Sequence, residues 1–479
     1  ETTIIDGNGI SSVVNIWGAD AGNDITLKGF TIQNGVGKSI SPVTHNNNNC
    51  GGGIVVANPA SPLLTDLIIQ DNAINGAGGG IFVESGATLR LSNSIVRNNE
   101  SGSGEHGGGI QMDGGTMGYI HNTEIYNNFA SNSGGGIYAD SPLYITNSII
   151  RNNRCLDGQG NGLAGRVYMY NCVVTQNGWE SNLEFGYTGN HSMQLFQESK
   201  IWNSIIWGNL GENKIGNNLN VSIDYSVVEG GLEEGIIDTQ NIIWGSHNSS
   251  LNPQFNNLEN YDFTPNPQTA GHVLNNGDPN QFFNNSDGTQ NHIGHTGGVG
   301  IIVFPTELEF GNIAVGYDIA KSFEIVNNTE SNITISSINS SSSEVDLVGW
   351  QSLPMSILPL GKTGINLQIL ALSSGNISET AQLQFEHANI SNNDGFISVT
   401  ANAYDLPVGD IVIPTDFSSI QLALDIIPHN VEKIILVEPG EYFENLMLSG
   451  INNVTIRSQS GPEATIINGG GNGLVIDSN

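Results

Sequence analysis

Gly134-Gly135-Gly136-Ile137-Tyr138-Ala139-Asp140-Ser141-Pro142-Leu143-Tyr144-Ile145-Thr146-Asn147-Ser148-Ile149-Ile150-Arg151-Asn152-Asn153 states in full a phrase that recurs about six times between Gly51 and Asn209. Its openings fall at Gly51, Gly78, Gly107, Gly134 and Gly160, each followed three residues on by Ile54, Ile81, Ile110, Ile137 or Leu163. Its close is a pair of polar residues six apart: Asp66/Asn72, Asn93/Asn99, Asn122/Asn128, Asn147/Asn153, Asn171/Asn177 and Asn203/Asn209. The spacing of six is constant while the period drifts between 24 and 32. A fixed phrase with variable gaps is the mark of a solenoid, whose coils must stack while their loops differ. Segments such as Tyr144 to Ile150 are rich in β-branched residues and bounded by Gly and Asn, so the repeating element is a short strand.

Two further apolar columns run beside the pairs. Leu64, Leu91, Ile120, Ile145, Met169 and Ile201 stand two residues before the first member, and Ile69, Val96, Ile125, Ile150, Val174 and Ile206 three after it. Stacked, these become ladders. An asparagine in register with its copies can donate and accept along the stack, and it also tolerates a tight bend. This predicts an all-β fold: a right-handed parallel β-helix over 1–297, with Asn93, Asn99, Asn122, Asn128, Asn147, Asn153, Asn171, Asn177, Asn203 and Asn209 as structural ladder residues. The Gly-Gly-Gly-Ile and Ile/Val-x-x-Asn phrases resemble the GGAI and FxxN repeats of chlamydial polymorphic outer-membrane proteins, with Ile or Val in place of Phe. The fold that this resemblance implies is a surface-displayed β-helix of the pectin-lyase-like kind.

Asn252-Pro253-Gln254-Phe255, Tyr261 to Pro265 and Val273 to Pro279 resemble the closing segment of bacterial surface β-helix proteins, which puts the end of the solenoid near Gly297. From Ile301 to Tyr404 strand-length alternations recur every eight to twelve residues, which predicts a β-sandwich of about seven strands over 298–406. Pro305 to Gly316 followed by Ser322 to Asn328 is similar to the opening of the immunoglobulin-like ASPM/SPD-2/Hydin domain. That resemblance implies a spacer between surface modules. Residues 407–479 then hold an N-cap candidate, Asp416 or Ser418, and a short helix with Ile420, Leu424 and Ile427 on one face. Strands at 434–442 and 454–458 follow, and the whole resembles the helix-capped start of a further pectin-lyase-like β-helix.

The chain ends by restating its beginning. Glu463-Ala464-Thr465-Ile466-Ile467-Asn468-Gly469-Gly470-Gly471 matches Glu1-Thr2-Thr3-Ile4-Ile5-Asp6-Gly7-Asn8-Gly9 at an offset of 463 − 1 = 462. The simplest account is a tandem unit of roughly this length, cut out of phase. Thr3, Ile4 and Ile5 at one end and Thr465, Ile466 and Ile467 at the other are therefore the candidate assembly residues. Either one polypeptide continues through both, or separate copies join head to tail by strand addition.

With 13 Lys plus Arg against 46 Asp plus Glu, the net charge of −33 opposes nucleic acid and anionic lipid as partners. No apolar run approaches the ~20 residues of a membrane span. Cys50, Cys155 and Cys172 are too few for a disulfide framework, though Cys155 and Cys172 lie in neighbouring coils and a bridge between them stays open. Charged residues that converge in a solenoid must recur at matching positions, and the regular coils offer mostly Asn, Ser and Gly there. No catalytic residue and no cofactor are expected. The column containing Arg97 and Arg151 reads as exposed and solubilising, and His106 and His121 as surface polar groups. Glu180, Glu184, His191 and Lys200 form the best cluster for a polysaccharide-active enzyme, and Trp202, Trp207 and Trp244 for a sugar-binding face. Asp20, Asp24, Asp157 and Asp287 are Ca²⁺ candidates by loop placement alone. Asn-x-Ser/Thr sequons fall at Asn327, Asn332, Asn339, Asn376 and Asn389. The expected function is an extracellular or cell-surface structural repeat module whose partners are copies of itself or neighbouring units; the alternative is a polysaccharide-active enzyme or glycan-binding adhesin.

Overall fold

The computed structural model describes residues 3–18, 25–37, 50–102, 104–156, 158–178, 191–210, 215–217, 220–236, 239–342, 345–349, 352–386, 394–429, 431–449, 453–469 and 475–477. Asp20, Asp24, Asp157, Glu180, Glu184 and the Asn389 sequon lie outside them.

The first half is a parallel solenoid with three main strand faces and a fourth, short ladder of two-residue strands, Ala73–Ile74, Glu100–Ser101, Phe129–Ala130 and Arg154–Cys155. One face is a nine-stranded sheet in coil order, from Thr3–Asp6 and Phe30–Gln33 through Ile95–Arg97, Glu124–Tyr126 and Ile149–Arg151 to Val227–Val228. The other two faces merge into one 15-stranded sheet, because Ile137–Thr146 and Leu163–Tyr170 run unbroken from one into the next. Registers place the predicted columns side by side: Leu64, Leu91, Ile120, Ile145, Met169 and Ile201 on one face, and Ile69, Val96, Ile125, Ile150, Val174 and Ile206 on another. All are fully buried in one continuous core with the Ile54 to Leu163 column.

The two asparagines of each phrase do different work. Asn93, Asn122, Asn147, Asn171 and Asn203 are corner residues with φ between 45 and 54, the left-handed region that asparagine enters more readily than other residues bearing a Cβ. A second left-handed corner follows the three-residue strand, at Asp71, Asn98, Asn127, Asn152 and Gln176. The next residue turns inward, so that Asn72, Asn99, Asn128, Asn153, Asn177 and Asn209 are buried. Each of these amides donates Nδ2 to the carbonyl oxygen of the next, at 2.9 to 3.1 Å from Asn72 through Asn209, and also to a backbone carbonyl of the preceding coil.

A third column stacks hydroxyls. Ser94, Thr123, Ser148, Ser204 and Ser226 accept from the backbone of the coil before and donate two residues back. Cys172 occupies a rung of this column, its thiol directed at the Tyr170 carbonyl. Cys50, Cys155 and Cys172 are buried and not disulfide-bonded, so the bridge between the last two does not form.

Residues 301–404 form two facing sheets. One has four strands, Ile301–Phe304, Asp318–Asn327, Gly361–Ala371 and Val345–Gly349; the other has five, among them Gly375–Glu386 and Asp394–Tyr404. The total exceeds the expected seven because Ile301–Phe304 and Met355–Ile357 add short edge strands. Beyond it, Ile411–Ile413, Lys433–Val437 and Val454–Ser458 make a parallel sheet covered by the helix Ile420–Ile426. Ile420, Leu424 and Ile427 are buried together. The cap residue is Ser419, which accepts from Leu422 N–H, not Asp416 or Ser418. Asp416 is turned away to accept from Val412 N–H, while Glu444 takes the Ile420 and Gln421 amides.

Candidate functional site

Three places on this scaffold carry unspent chemistry or geometry: the outward flank of one solenoid face, a groove at its far end, and the two open ends.

The flank is set by strand alternation. On the face running through Leu64, Leu91 and Ile120, the residues on either side of each buried one point outward and stack into two columns. One column reads Leu63, Arg90, Tyr119, Tyr144, Tyr168 and Lys200; the other reads Thr65, Ser92, His121, Thr146, Tyr170, Trp202 and Asp224. The sandwich docks on both. Tyr144 stacks between Tyr119 and Tyr168, and Phe304 lies on Tyr168 at 5.1 Å. Glu330 accepts from Thr65 and Ser92 at 3.1 and 2.9 Å, and Asn328 donates to Thr146 Oγ1 and to the Ile120 carbonyl. Arg90 gives its guanidinium to the Pro359 and Leu360 carbonyls, and Lys362 joins Glu324 beside Tyr144. Those tyrosines share one buried cluster with the sandwich core. The expected spacer is thus held along the side of the solenoid. The signal was present in sequence, since three aromatic residues on successive rungs of an outward column need a cover.

The closing segment binds the corner column. Asn147 donates to the His295 and Gly297 carbonyls, Asn171 pairs with Asn291, and Asn203 Oδ1 accepts from Asp278 N–H. Arg151 is a correction to the exposed reading. Its side chain is 7% exposed, sits between the Tyr126 and Tyr261 rings at 3.9 and 4.1 Å, and pairs with Glu124 at 2.6 Å. It clamps the closing segment to the coil face. His106 stacks on Tyr138 beside the Gly107 opening, and His121, in the second flank column, meets Thr146; both are half-buried.

Where the sandwich leaves the flank, a groove of about 1080 Å³ opens over Tyr170, Trp202 and Asp224, walled by Tyr225, His247, Asp278 and Phe304. His247 stacks on Tyr225 at 4.2 Å with planes 5° apart, and its Nδ1 meets Asp224 Oδ2 at 3.1 Å. Lys200 lies 4.9 Å over the Phe304 ring, and burial lowers its pKa. Burial raises Tyr225 to about 12, helped by Asp278 and Asp224. Burial also pushes Asp278 up to about 6, with Asp224 adding to the rise, while hydrogen bonds from Asn280 N–H and the Trp202 side chain oppose it. Of the two clusters drawn from sequence, Lys200 and Trp202 reach this groove. His191 is buried elsewhere, Trp207 packs beneath the closing segment and Trp244 against the solenoid core. Asp224, Asp278 and His247 gave no sequence signal, because residues from separate coils and a loop meet only after folding.

Asp278 makes a pH prediction. Its folded pKa of about 6 lies above the ~3.9 of an unfolded aspartate, so the folded state binds more protons between those values. Stability contributed by the protonated group is present below about pH 4 and lost as pH rises through 6. Asp278→Asn should raise unfolding free energy by on the order of 1–2 kcal/mol at pH 7.5 and leave it nearly unchanged at pH 4, in paired denaturant titrations. An equal gain at both pH values would show that charge is not the cause.

No group of three metal-ligating side chains converges among the described residues, and Asp287 accepts from Thr289 in its own turn. Asn327 is fully buried and donates to Ser331, Ile357 and Leu358, so that sequon holds a structural side chain; Asn332, Asn339 and Asn376 are exposed.

The ends are open. Thr3–Asp6 pairs with Phe30–Gln33 on one edge only, and Thr465–Ile467 with Gly440–Tyr442 on one edge only, among the described residues. Ile4, Ile10 and Trp17 at one end are 51%, 70% and 46% exposed, and Ile466 and Ile467 at the other 53% and 46%. No cap strand pairs with the first coil among the described residues; the cap packs against the sandwich through Ala314 and Tyr404.

No protein-family model matches the chain, and no curated protein matches it. Among solved structures, the ASH / PapD-like domain of human CEP192 aligns at 7% identity over 22% of this chain and 87% of that one, TM-score 0.18. The Vibrio cholerae VesB protease aligns at 11% over 21% and 31%, TM-score 0.19. WR4, a C. elegans MSP family member, aligns at 16% over 22% and 97%, TM-score 0.16. Likenesses at these scores carry no weight for fold or function.

Proposed function

We propose that this chain is a structural unit of an extracellular or cell-surface array: a right-handed, pectin-lyase-like β-helix with an immunoglobulin-like sandwich, stacked end to end with copies of itself. One observation carries the reading. The matching strands Thr465–Ile467 and Thr3–Ile5 occupy equivalent rungs seen from opposite sides: Thr465 and Ile467 lie over Gly440 and Tyr442, whereas Thr3 and Ile5 lie under Phe30 and Ile32. Overlaying the two versions yields one continuous ladder, with Gly440–Tyr442 below the shared rung and Phe30–Ile32 above it. The next face continues in the same way, with Met447–Ser449 below and Ile54–Val56 above the strands Val475–Asp477 and Val14–Ile16.

Exposed parallel edges with apolar residues favour addition of another strand, and a heterologous contact repeated without closure extends indefinitely. The excess of negative charge suits a solvated surface and opposes nucleic acid. Among the described residues no helix is long and apolar enough to cross a membrane.

Purified full-length chain should form end-to-end polymers with a regular axial repeat in negative-stain electron microscopy, and a chain lacking 410–479 should sediment as a monomer. Polymers formed by the truncated chain would show that the C-terminal cap is not the docking element.

A further inference from the structure

We infer that the groove over Trp202 is a binding site for an uncharged or amino-sugar oligosaccharide. This goes beyond the array reading and does not depend on it. The floor lies along the solenoid axis: Tyr170, Trp202 and Asp224 occupy successive rungs of one outward column, with the buried Tyr170 backing Trp202 and the partly exposed Trp202 and Asp224 facing the groove. Rungs of a parallel sheet repeat about every 4.8 Å, a length close to the repeat of an extended sugar chain. Beside the row stand the Tyr225 and His247 rings, stacked face to face at 4.2 Å with planes 5° apart, so that the pair offers the outer face of the exposed His247 ring, and Phe304 also lines the groove. Flat aromatic surfaces with an electron-rich face attract the C–H faces of sugar rings, and carboxylates accept from paired hydroxyls.

The alternatives fit less well. A peptide strand needs a free backbone edge, but Lys200–Trp202 and Val221–Asp224 are each paired on both sides, so the floor offers side chains only. Anions, including uronic acids and nucleic acid, would meet Asp224, Asp278, Glu307 and Glu309 in a groove whose lysines, among the described residues, are Lys200 and Lys321. A cationic amino sugar gains from the same carboxylates. The volume, about 1080 Å³, lies just above the roughly 300–1,000 Å³ that small-molecule sites occupy, as an elongated oligosaccharide site requires.

The test presents the full chain with immobilised oligosaccharides of three kinds: uncharged hexoses, amino sugars and uronic acids. Binding is expected to the first or second kind and not to the third. His247→Ala, at an exposed side chain, and the conservative Asp224→Asn should each weaken it roughly 3- to 10-fold with the circular-dichroism spectrum unchanged, whereas Trp207→Phe should leave it as it is. Trp202→Ala, if folded, should abolish it. Absence of binding to every uncharged and amino sugar, preference for uronic acids, or affinity that His247→Ala and Asp224→Asn leave unaltered would each overturn the inference.

Discussion

Asn128→Asp is expected to cost about 4 kcal/mol or more of solenoid stability. Asn128 is buried, donates Nδ2 to the Val96 carbonyl and to Asn153 Oδ1 at 3.0 Å, and accepts from the Asn99 backbone and side chain at 3.0 Å. Aspartate keeps the accepting oxygen but replaces both donated bonds by repulsion between oxygens, in a site where a carboxylate loses its hydration. Asn128→Ala removes the repulsion but takes the acceptor from the Asn99 backbone N–H, one of two acceptors from the Asn99 side-chain amide, and the Asn128 donor from the Val96 carbonyl, at about 2–4 kcal/mol. The corner residue Asn122 is the internal control. It is exposed, donates its side-chain amide to Asn93 Oδ1 at 2.7 Å, and has φ 45, which aspartate also adopts. Asn122→Asp should cost less than about 1 kcal/mol.

Because each coil contacts only its neighbours, the loss should be local. Urea unfolding gives its size, and hydrogen exchange should place it in the coils of Asn99, Asn128 and Asn153. Equal effects at Asn122 and Asn128 would refute the division of labour between the two columns.

Gly136→Ala should destabilise by at least about 3 kcal/mol for a different reason. A Cβ at Gly136 would stand 2.4 Å from the Gly162 carbonyl oxygen and 2.9 Å from Asn153 Nδ2. The obstacle is backbone of the next coil, fixed by its own ladder, so it cannot move aside without opening the stack. Gly114, by contrast, is exposed with nothing within 4 Å of an added Cβ, and Gly114→Ala should be neutral or slightly stabilising through the unfolded chain. Thermal unfolding of the pair separates the two cases; a tolerated Gly136→Ala would mean that the coils are not stacked in this register.

Much of this was legible beforehand because the period of the coils is written in residue types. Ile120 and Ile145 must superpose once Asn122 and Asn147 do, and a buried apolar column follows from that alone. The kinship of the two ends was legible too, since 463–471 repeats six of the nine residues of 1–9 in a diverged form. Arg151 was misread for lack of any hint that Tyr261, 110 residues later (261 − 151), would lie across it.

What the amino-acid order determined by itself was the local and the periodic: strand, corner, strand, and which side chains share a column. Those follow from chirality, backbone geometry and alternation, which act over a few residues. Only the tertiary structure decided which asparagine of each pair turns inward, that the sandwich is the element covering Tyr119, Tyr144 and Tyr168, and that Trp202, Asp224, His247 and Asp278 enclose one groove. Those outcomes depend on the surfaces that distant segments present to one another, and a pattern confined to neighbouring residues holds no record of them.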